Sequence, residues 1–353
     1  MIVDEKYMRR ALQLAKNGIE STSPNPMVGA VIVYKDKIIG EGYHRRCGEG
    51  HAEVNAIASV KDKTLLQQST IYVTLEPCSH YGKTPPCAQL IIDSKIPNVV
   101  IGSLDPFEKV SGRGVKMLQD AGINVATRVL EQECKNLNPH FITAHTLRRP
   151  FVTLKWAQSQ DGYMDIIRCK NELPAKFSTE TTSMLVHKLR AQHDAIMVGS
   201  ETIIRDNPRL NNRMWSGQNP VIVIADRRTQ IPPDAQIFKH NPVYLSPRKR
   251  EDLKHEIQWI EIPKNASIND YLNTLYKFGI TSLLVEGGSY LLQAFIDNGL
   301  WDVARIETNP KPLNKKGIKK APSICGLQSS EETIDGNKIS TYLNKNVSIA
   351  QLL

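Results

Sequence analysis

Four side chains in the first half of the chain can do chemistry together: His51, Glu53, Cys78 and Cys87. One imidazole and two thiolates fill three corners of a tetrahedral zinc site and leave the fourth open to water. Zinc lowers the pKa of that water toward neutrality, so a hydroxide nucleophile exists at physiological pH. Glu53 lies two residues past His51, too close to be a good fourth ligand but well placed to move protons. The competing possibilities are a closed structural zinc site and two cysteines that merely pack. A closed site needs a further Cys or His, and Cys47 and His80 are near enough in sequence to supply one. Glu53 separates the cases, because a structural zinc has no use for a carboxylate beside its ligand.

His-x-Glu followed by Pro-Cys and a second Cys is the pattern of hydrolytic base deaminases. Nucleic-acid and nucleoside deaminases usually carry Cys-x-x-Cys, whereas here Cys78 and Cys87 enclose the whole of Ser79 to Pro86. With that longer insert, the segment Glu76-Pro77-Cys78-Ser79-His80 through Thr84-Pro85-Pro86-Cys87 resembles the deaminase half of a family, the bifunctional deaminase/reductases of riboflavin biosynthesis. Asn25-Pro26-Met27-Val28-Gly29 and Asp105-Pro106 resemble that family's motifs as well.

The second half is similar to the reductase half of the same family. The matching stretches are Leu154 to Gly162, Leu189-Arg190, Asp194 to Gly199, Thr202, Asp206 to Arg213, and Val285-Glu286-Gly287-Gly288. The resemblance runs from about residue 4 to about residue 307. It implies an N-terminal cytidine-deaminase-like α/β/α layer domain (1–147) and a C-terminal dihydrofolate-reductase-like α/β domain (148–353) that uses NADPH. It also implies site residues: Ala157, Phe177, Thr202, Asp206 and Gly288 for the cofactor, and Asn25, Ala175, Arg190, Leu210, Arg213 and Glu286 for the substrate. Two positions depart from the family pattern. Ala175 lacks the hydroxyl expected to touch substrate, and Phe177 replaces a tryptophan expected beside the cofactor. The loop before them, Asp165 to Pro174, is atypical and holds Arg168 and Lys170.

Several of these residues carry a second, plainer reading. Arg190 and Arg213 are candidates for a ribose phosphate, although a helix arginine usually faces solvent. Glu286 ends a buried strand, where an unpaired carboxylate is costly, so a ligand hydroxyl or amide is the expected partner. Asp206 either orients the nicotinamide ribose or caps a turn before Asn207-Pro208. Asn25 either bonds the pyrimidine or serves a turn. His44, His80, His187 and His193 read as surface or packing histidines, with His44 and His80 the closest to the zinc motif.

The elements needed to hold these groups alternate helix and strand. Residues 4–17 place Met8, Ala11, Leu12 and Ala15 on one helical face. Val28 to Tyr34 is an apolar strand, and Lys35-Asp36-Lys37 turns into Ile38-Ile39-Gly40. Ala52 to Val60 is helical and Thr70 to Leu75 a strand. Pro85-Pro86 open a helix, where a missing N–H costs nothing. Asn98 to Ser103, Gly112 to Ala121 and Ile123 to Thr127 continue as strand, helix and strand. This alternation gives a layered α/β domain, with His51 and Cys78 each at a helix N-terminus whose dipole favours thiolate and hydroxide. Arg148-Arg149-Pro150 marks the boundary before the strand Phe151 to Trp156. Beyond it no Gly-x-Gly-x-x-Gly follows the first strand. The nearest substitute is Leu283 to Gly288 leading into a helix from about Ser289 to Asp297, whose first N–H groups can hold a phosphate.

At 353 residues, with 41% hydrophobic and 23% charged residues, the chain has material for two soluble domains. No apolar run approaches a membrane span, no signal-peptide pattern opens the chain, and the six cysteines show no disulfide spacing. A cytoplasmic protein without nucleic-acid or membrane partners, forming a homo-oligomer, is expected. The net charge of +9 is spread along the chain. Its one dense run, Lys311 to Lys320, holds no aromatic to stack a base and reads as a solvated loop, and the tail beyond Pro310 matches nothing legible. Excess positive charge suits a substrate and a cofactor that both carry phosphate, and with no acidic ribose-reading residue after a Rossmann glycine motif it favours NADPH over NADH. The resemblance implies a phosphorylated pyrimidine substrate and two steps: zinc-dependent deamination of 2,5-diamino-6-ribosylamino-4(3H)-pyrimidinone 5′-phosphate, then NADPH reduction of the ribosyl chain to ribityl. No residue stands out as general acid for the second step. Alternatives are a nucleic-acid base deaminase with an accessory domain, a deaminase with an inactive reductase half, and a non-catalytic zinc scaffold.

Overall fold

A computed structural model of the protein describes every residue except 1–2, 20, 81–84, 107–111, 169–171, 254–255 and 346–353. The described residues form two compact units, one up to Leu147 and one from Arg148.

In the first unit the order is α1 (Glu5–Ala15), β1 (Gly29–Tyr34), β2 (Lys37–Tyr43), α2 (Ala52–Ser59), β3 (Thr70–Leu75), α3 (Cys87–Asp93), β4 (Asn98–Ser103), α4 (Arg113–Asp120), β5 (Asn124–Ala126), α5 (Glu131–Leu137) and α6 (Pro139–Leu147). The sheet runs β2-β1-β3-β4-β5, with β1 antiparallel to both neighbours and β3, β4 and β5 parallel. Both faces are covered, and the period-two alternation of β1 sorts its side chains between them. Ala30 and Ile32 pack with Ala52 and Ala56 of α2, Ile91 of α3 and Leu118 of α4. Val31 and Val33 pack with Met8, Ala11, Leu12 and Ala15 of α1 and Leu137 of α5. Asp4 starts α1 by accepting the Lys6 N–H on its side chain. Gly29 lets that helix approach, since a Cβ there would lie 2.0 Å from the Ala11 carbonyl oxygen.

The second unit contains β6 (Phe151–Ser159), β7 (Tyr163–Ile166), α7 (Glu180–Ala191), β8 (Ala195–Gly199), α8 (Ser200–Asp206), β9 (Val221–Ala225), β10 (Val243–Ser246), β11 (Gln258–Glu261) and α9 (Ile268–Lys277). It continues with β12 (Ser282–Glu286), α10 (Ser289–Asp297), β13 (Val303–Asn309), β14 (Gly317–Lys320), β15 (Leu327–Ile334) and β16 (Asn337–Leu343). Nine strands align as β11-β10-β9-β8-β12-β6-β13-β16-β15. All pairs from β11 to β13 are parallel, and β16 and β15 add antiparallel strands at one end. Strands covered on both faces are apolar throughout, as in Ala195 to Val198 and Leu283 to Val285, all fully buried. Arg149 stitches β6 to the start of β13: its Nη1 and Nη2 lie 2.7 and 2.8 Å from the carboxylate of buried Asp302, which also accepts the Val152 N–H.

Three sequence expectations need correction here. The lysine run is not simply a loop, because Gly317–Lys320 is a strand paired antiparallel with β7. Tyr163 lies against Gly317, and the Lys320 ammonium sits 3.8 Å from that ring's centre. The tail beyond Pro310 supplies two strands of the main sheet. Its signal was Asp335-Gly336, both at positive φ between β15 and β16, which is the residue pair a tight hairpin requires. The helix expected from Pro85-Pro86 starts at Cys87, with Pro86 as its extended cap. Lys170 falls outside the described residues.

Candidate active sites

His51 caps α2 in extended conformation, and Glu53 in the first turn of that helix is 3% exposed. Cys87 is the first residue of α3, and Cys78 lies in the loop after β3, so the second helix start brings Cys87 to the cluster and not Cys78 as the sequence suggested. Helix α3 still serves Cys78, since the Cys87 N–H donates to its Sγ at 3.3 Å. His51 Nδ1 stands 3.7 Å from Cys78 Sγ and 3.3 Å from Cys87 Sγ, and the three donor atoms all lie within 4.8 Å of one another. Tetrahedral zinc with ordinary Zn–N and Zn–S bonds separates such donors by about 3.6 Å. The set therefore fits zinc. Among the described residues neither Cys47 nor His80 joins it, which leaves the fourth position to water or substrate.

The electrostatics suit that task. Hydrogen bonding with Cys87 outweighs burial and, with His51, draws the Cys78 thiol well below its usual range. Burial, helped by the Cys78 thiolate, pushes the Glu53 carboxyl up to about 7. Asn25 meets His44, Nδ2 to Nε2 at 3.2 Å, and the His44 ring stands edge-on to His51 with centroids 5.3 Å apart. His44 is thus a buried neighbour of the cluster and not a surface group.

In the second unit, Arg190, Arg213 and Glu286 line a cleft of about 480 Å³ together with Lys155, Lys176, Ser178 and His187. Arg190, Leu210 and Arg213 line an adjoining pocket of about 300 Å³. The sequence assigned Glu286 a ligand partner, but its partner is Arg190, with Nε to Oε1 at 3.0 Å and Nη2 to Oε2 at 2.7 Å. The cost of an unpaired buried carboxylate was the right premise, and a long side chain across the cleft met it first. Arg190 is accordingly committed to Glu286 and to the Asn211 carbonyl, 3.1 Å away. Arg213 N–H donates to His187 Nδ1 at 3.1 Å, and its Nη1 to Asn211 Oδ1 at 3.2 Å.

The expected cofactor residues are less concentrated. Thr202 holds the glycine turn, its Oγ1 accepting the Gly288 N–H at 2.9 Å, so that donor is not among those left for a phosphate. Asp206 ends α8 and is ion-paired with Arg168, whose Nε lies 3.0 Å from Asp165. Ala157 sits in β6 opposite Glu307 of β13. The Ala175 N–H points at Asp165 Oδ1, 3.4 Å away. Phe177 is buried and its carbonyl accepts from Asn309 and Asn337, both at 2.8 Å. On either side of it Lys176 and Ser178 face the cleft, and the Ser178 hydroxyl donates to buried Glu307 at 2.6 Å. Sequence reading missed Lys155, Lys176, Ser178 and His187. Lys155 alone had a visible signal, a lysine between buried Leu154 and buried Trp156.

Comparison with known proteins finds relatives of both halves. Residues 1–103 match a family described as the cytidine and deoxycytidylate deaminase zinc-binding region, and residues 150–347 match the RibD C-terminal domain. The chain is 36% identical to riboflavin biosynthesis protein RibD of Aquifex aeolicus over 95% of its own length and 94% of the relative's. Among solved structures, Acinetobacter baumannii RibD is 31% identical with a TM-score of 0.88, covering 97% of this chain and 99% of that one. A diaminohydroxyphosphoribosylaminopyrimidine deaminase/5-amino-6-(5-phosphoribosylamino)uracil reductase of Thermotoga maritima is 36% identical with a TM-score of 0.84, covering 96% and 98%.

Proposed function

The chain belongs to the RibD family of bifunctional riboflavin-biosynthesis enzymes, and from that premise we propose how its own residues divide the work. The protein is a zinc-dependent deaminase and an NADPH-dependent reductase. The observation that carries the residue assignment is the convergence of His51, Cys78 and Cys87 beside buried Glu53.

In the first step His51, Cys78 and Cys87 would hold the zinc, which when bound would supply Lewis acidity toward water. Glu53 takes a proton from the attacking water and delivers it to the amine at the pyrimidine C2, which leaves as ammonia. Asn25, next to His44, orients the ring. No accessory nucleic-acid domain is needed, because the second half is a reductase in its own right.

In the second step the residues of the second unit would bind and orient NADPH, which when bound would supply the hydride. Arg213 and Lys176, cations on the cleft wall, meet the substrate phosphate. Glu286, fixed by Arg190, accepts from a substrate hydroxyl or ring N–H. Thr202, Asp206, Ala157, Phe177 and the start of α10 contact the cofactor. Ala175 faces the substrate through its backbone alone. Self-association and a cytoplasmic location complete the proposal. The described cysteines are all free, as a reducing compartment keeps them, and no described helix is long and apolar enough to cross a membrane.

The test is purified protein given the diamino substrate with and without NADPH, followed for ammonia and for NADPH loss. Ammonia release without NADPH, and NADPH consumption only after it, is the expected order. No ammonia in either arm would remove the assignment.

A further inference from the structure

We infer that Glu76 is the positioning residue of the zinc-ligand turn, acting on Cys78 through the backbone. Glu76 follows the end of β3 and is 4% exposed. Its own N–H extends the β3–β4 ladder by donating to the Ser103 carbonyl at 2.9 Å. The side chain then turns away from the sheet and accepts four backbone N–H groups. Oε2 takes those of Asp105 at 3.2 Å and Gly112 at 3.0 Å, and Oε1 takes those of Gly114 at 2.9 Å and Val115 at 3.3 Å. One carboxylate thus binds the residues leaving β4 and the first turn of α4, where the helix dipole favours negative charge.

The next residue is fitted as closely. A Cβ on Gly114 would lie 2.1 Å from the Pro77 carbonyl oxygen, so Pro77 rests directly on the backbone of α4. Cys78 then has its carbonyl bonded by the Ala88 N–H at 3.2 Å and its Sγ by the Cys87 N–H at 3.3 Å. Helix α4 fixes the turn from one side and α3 from the other. A ligand on a loop has no regular backbone ladder to place it, and these contacts take that role. The Glu76 carboxylate bonds backbone N–H groups and not the side chains of His51, Cys78 or Cys87. Its carboxylate cannot be replaced by an amide without loss, because glutamine offers one acceptor oxygen where four donors converge and turns an N–H₂ toward the others.

Because this rests on Cys78 holding zinc, as proposed above, the two are tested separately. Glu76→Gln and Gly114→Ala disturb the turn from its two contacts with α4. Each full-length variant is compared with wild type for zinc loss to a chelator, for the visible spectrum of the Co²⁺-substituted protein, and for NADPH oxidation with the already deaminated substrate. The expected result is zinc affinity weakened by about 10- to 100-fold, the range for groups that support metal ligands. An altered Co²⁺ spectrum and unchanged reductase turnover should accompany it. Wild-type zinc retention and spectrum in both variants would overturn the positioning role. So would loss of reductase turnover alongside zinc in both, which would mark a general folding defect. If Glu76→Gln fails to fold, Gly114→Ala decides. A wild-type chain that takes up no zinc would overturn the ligand set together with this role.

Discussion

Arg190 grips Glu286 through both carboxylate oxygens, at 3.0 and 2.7 Å, while each side chain is only 11% exposed. The fork joins α7 to the end of β12 and crosses the wall of the larger cleft. A planar guanidinium matched to a carboxylate in this way is both strong and directional. Removing one partner leaves a buried charge without compensation. Arg190→Ala should therefore destabilise the second unit by about 3 kcal/mol or more, read from urea unfolding. A loss below about 1 kcal/mol, the range of exposed pairs, would mean water reaches the carboxylate freely.

The same pair gives a pH dependence whose sign is fixed. Burial pushes the Glu286 carboxyl up, but Arg190, with Lys155 and His187, outweighs it and holds the group below its ordinary 4.5. The unfolded chain then binds the proton more readily, so stability from the pair is present above 4.5 and is lost as pH falls through the lower folded value. The stability difference between wild type and Glu286→Gln should be constant near neutrality and shrink on acidification below that point. A difference that grows in acid would reverse the assignment.

One zinc per chain is expected. Cys78→Ser, Cys87→Ser and His51→Ala should each release it and abolish ammonia formation, while NADPH oxidation with the deaminated substrate persists. Elemental analysis alongside the two assays checks this, and ligand variants as active as wild type would count against the site.

Glu53→Gln should keep zinc and fold but slow deamination by about 10²-fold or more, the scale of a general acid–base group. Glutamine preserves the shape of a side chain that is 3% exposed and cannot carry a proton. Near-normal ammonia release would give Glu53 another task.

NADPH should be preferred to NADH in titrations followed by cofactor fluorescence. Asp206→Asn, which leaves Arg168 paired with Asp165, removes the carboxylate offered to the cofactor and should weaken NADPH binding by about three- to ten-fold, the worth of one net hydrogen bond. Unchanged or tighter binding would take Asp206 out of the cofactor site.

His51, Glu53, Cys78 and Cys87 were legible in the sequence because metal chemistry restricts residue type and spacing so tightly that few other arrangements satisfy it. The helix–strand alternation was legible for a similar local reason: Met8, Ala11, Leu12 and Ala15 repeat with the helical period, and Ala30 to Val33 form an unbroken apolar run. The hairpin at Asp335-Gly336 is also written there, in a residue pair suited to the positive φ angles both adopt. Tertiary structure alone decided which charges meet. Arg190 and Glu286 are far apart in the chain, and a sequence states that a buried carboxylate needs a partner without saying which residue reaches it first. The same holds for Arg168 with Asp206, and for Glu76, whose four N–H donors become neighbours only after β3, β4 and α4 have packed. Local pattern fixes chemistry and element type, since both depend on adjacent residues. Pairing across the fold depends on the distances that packing creates.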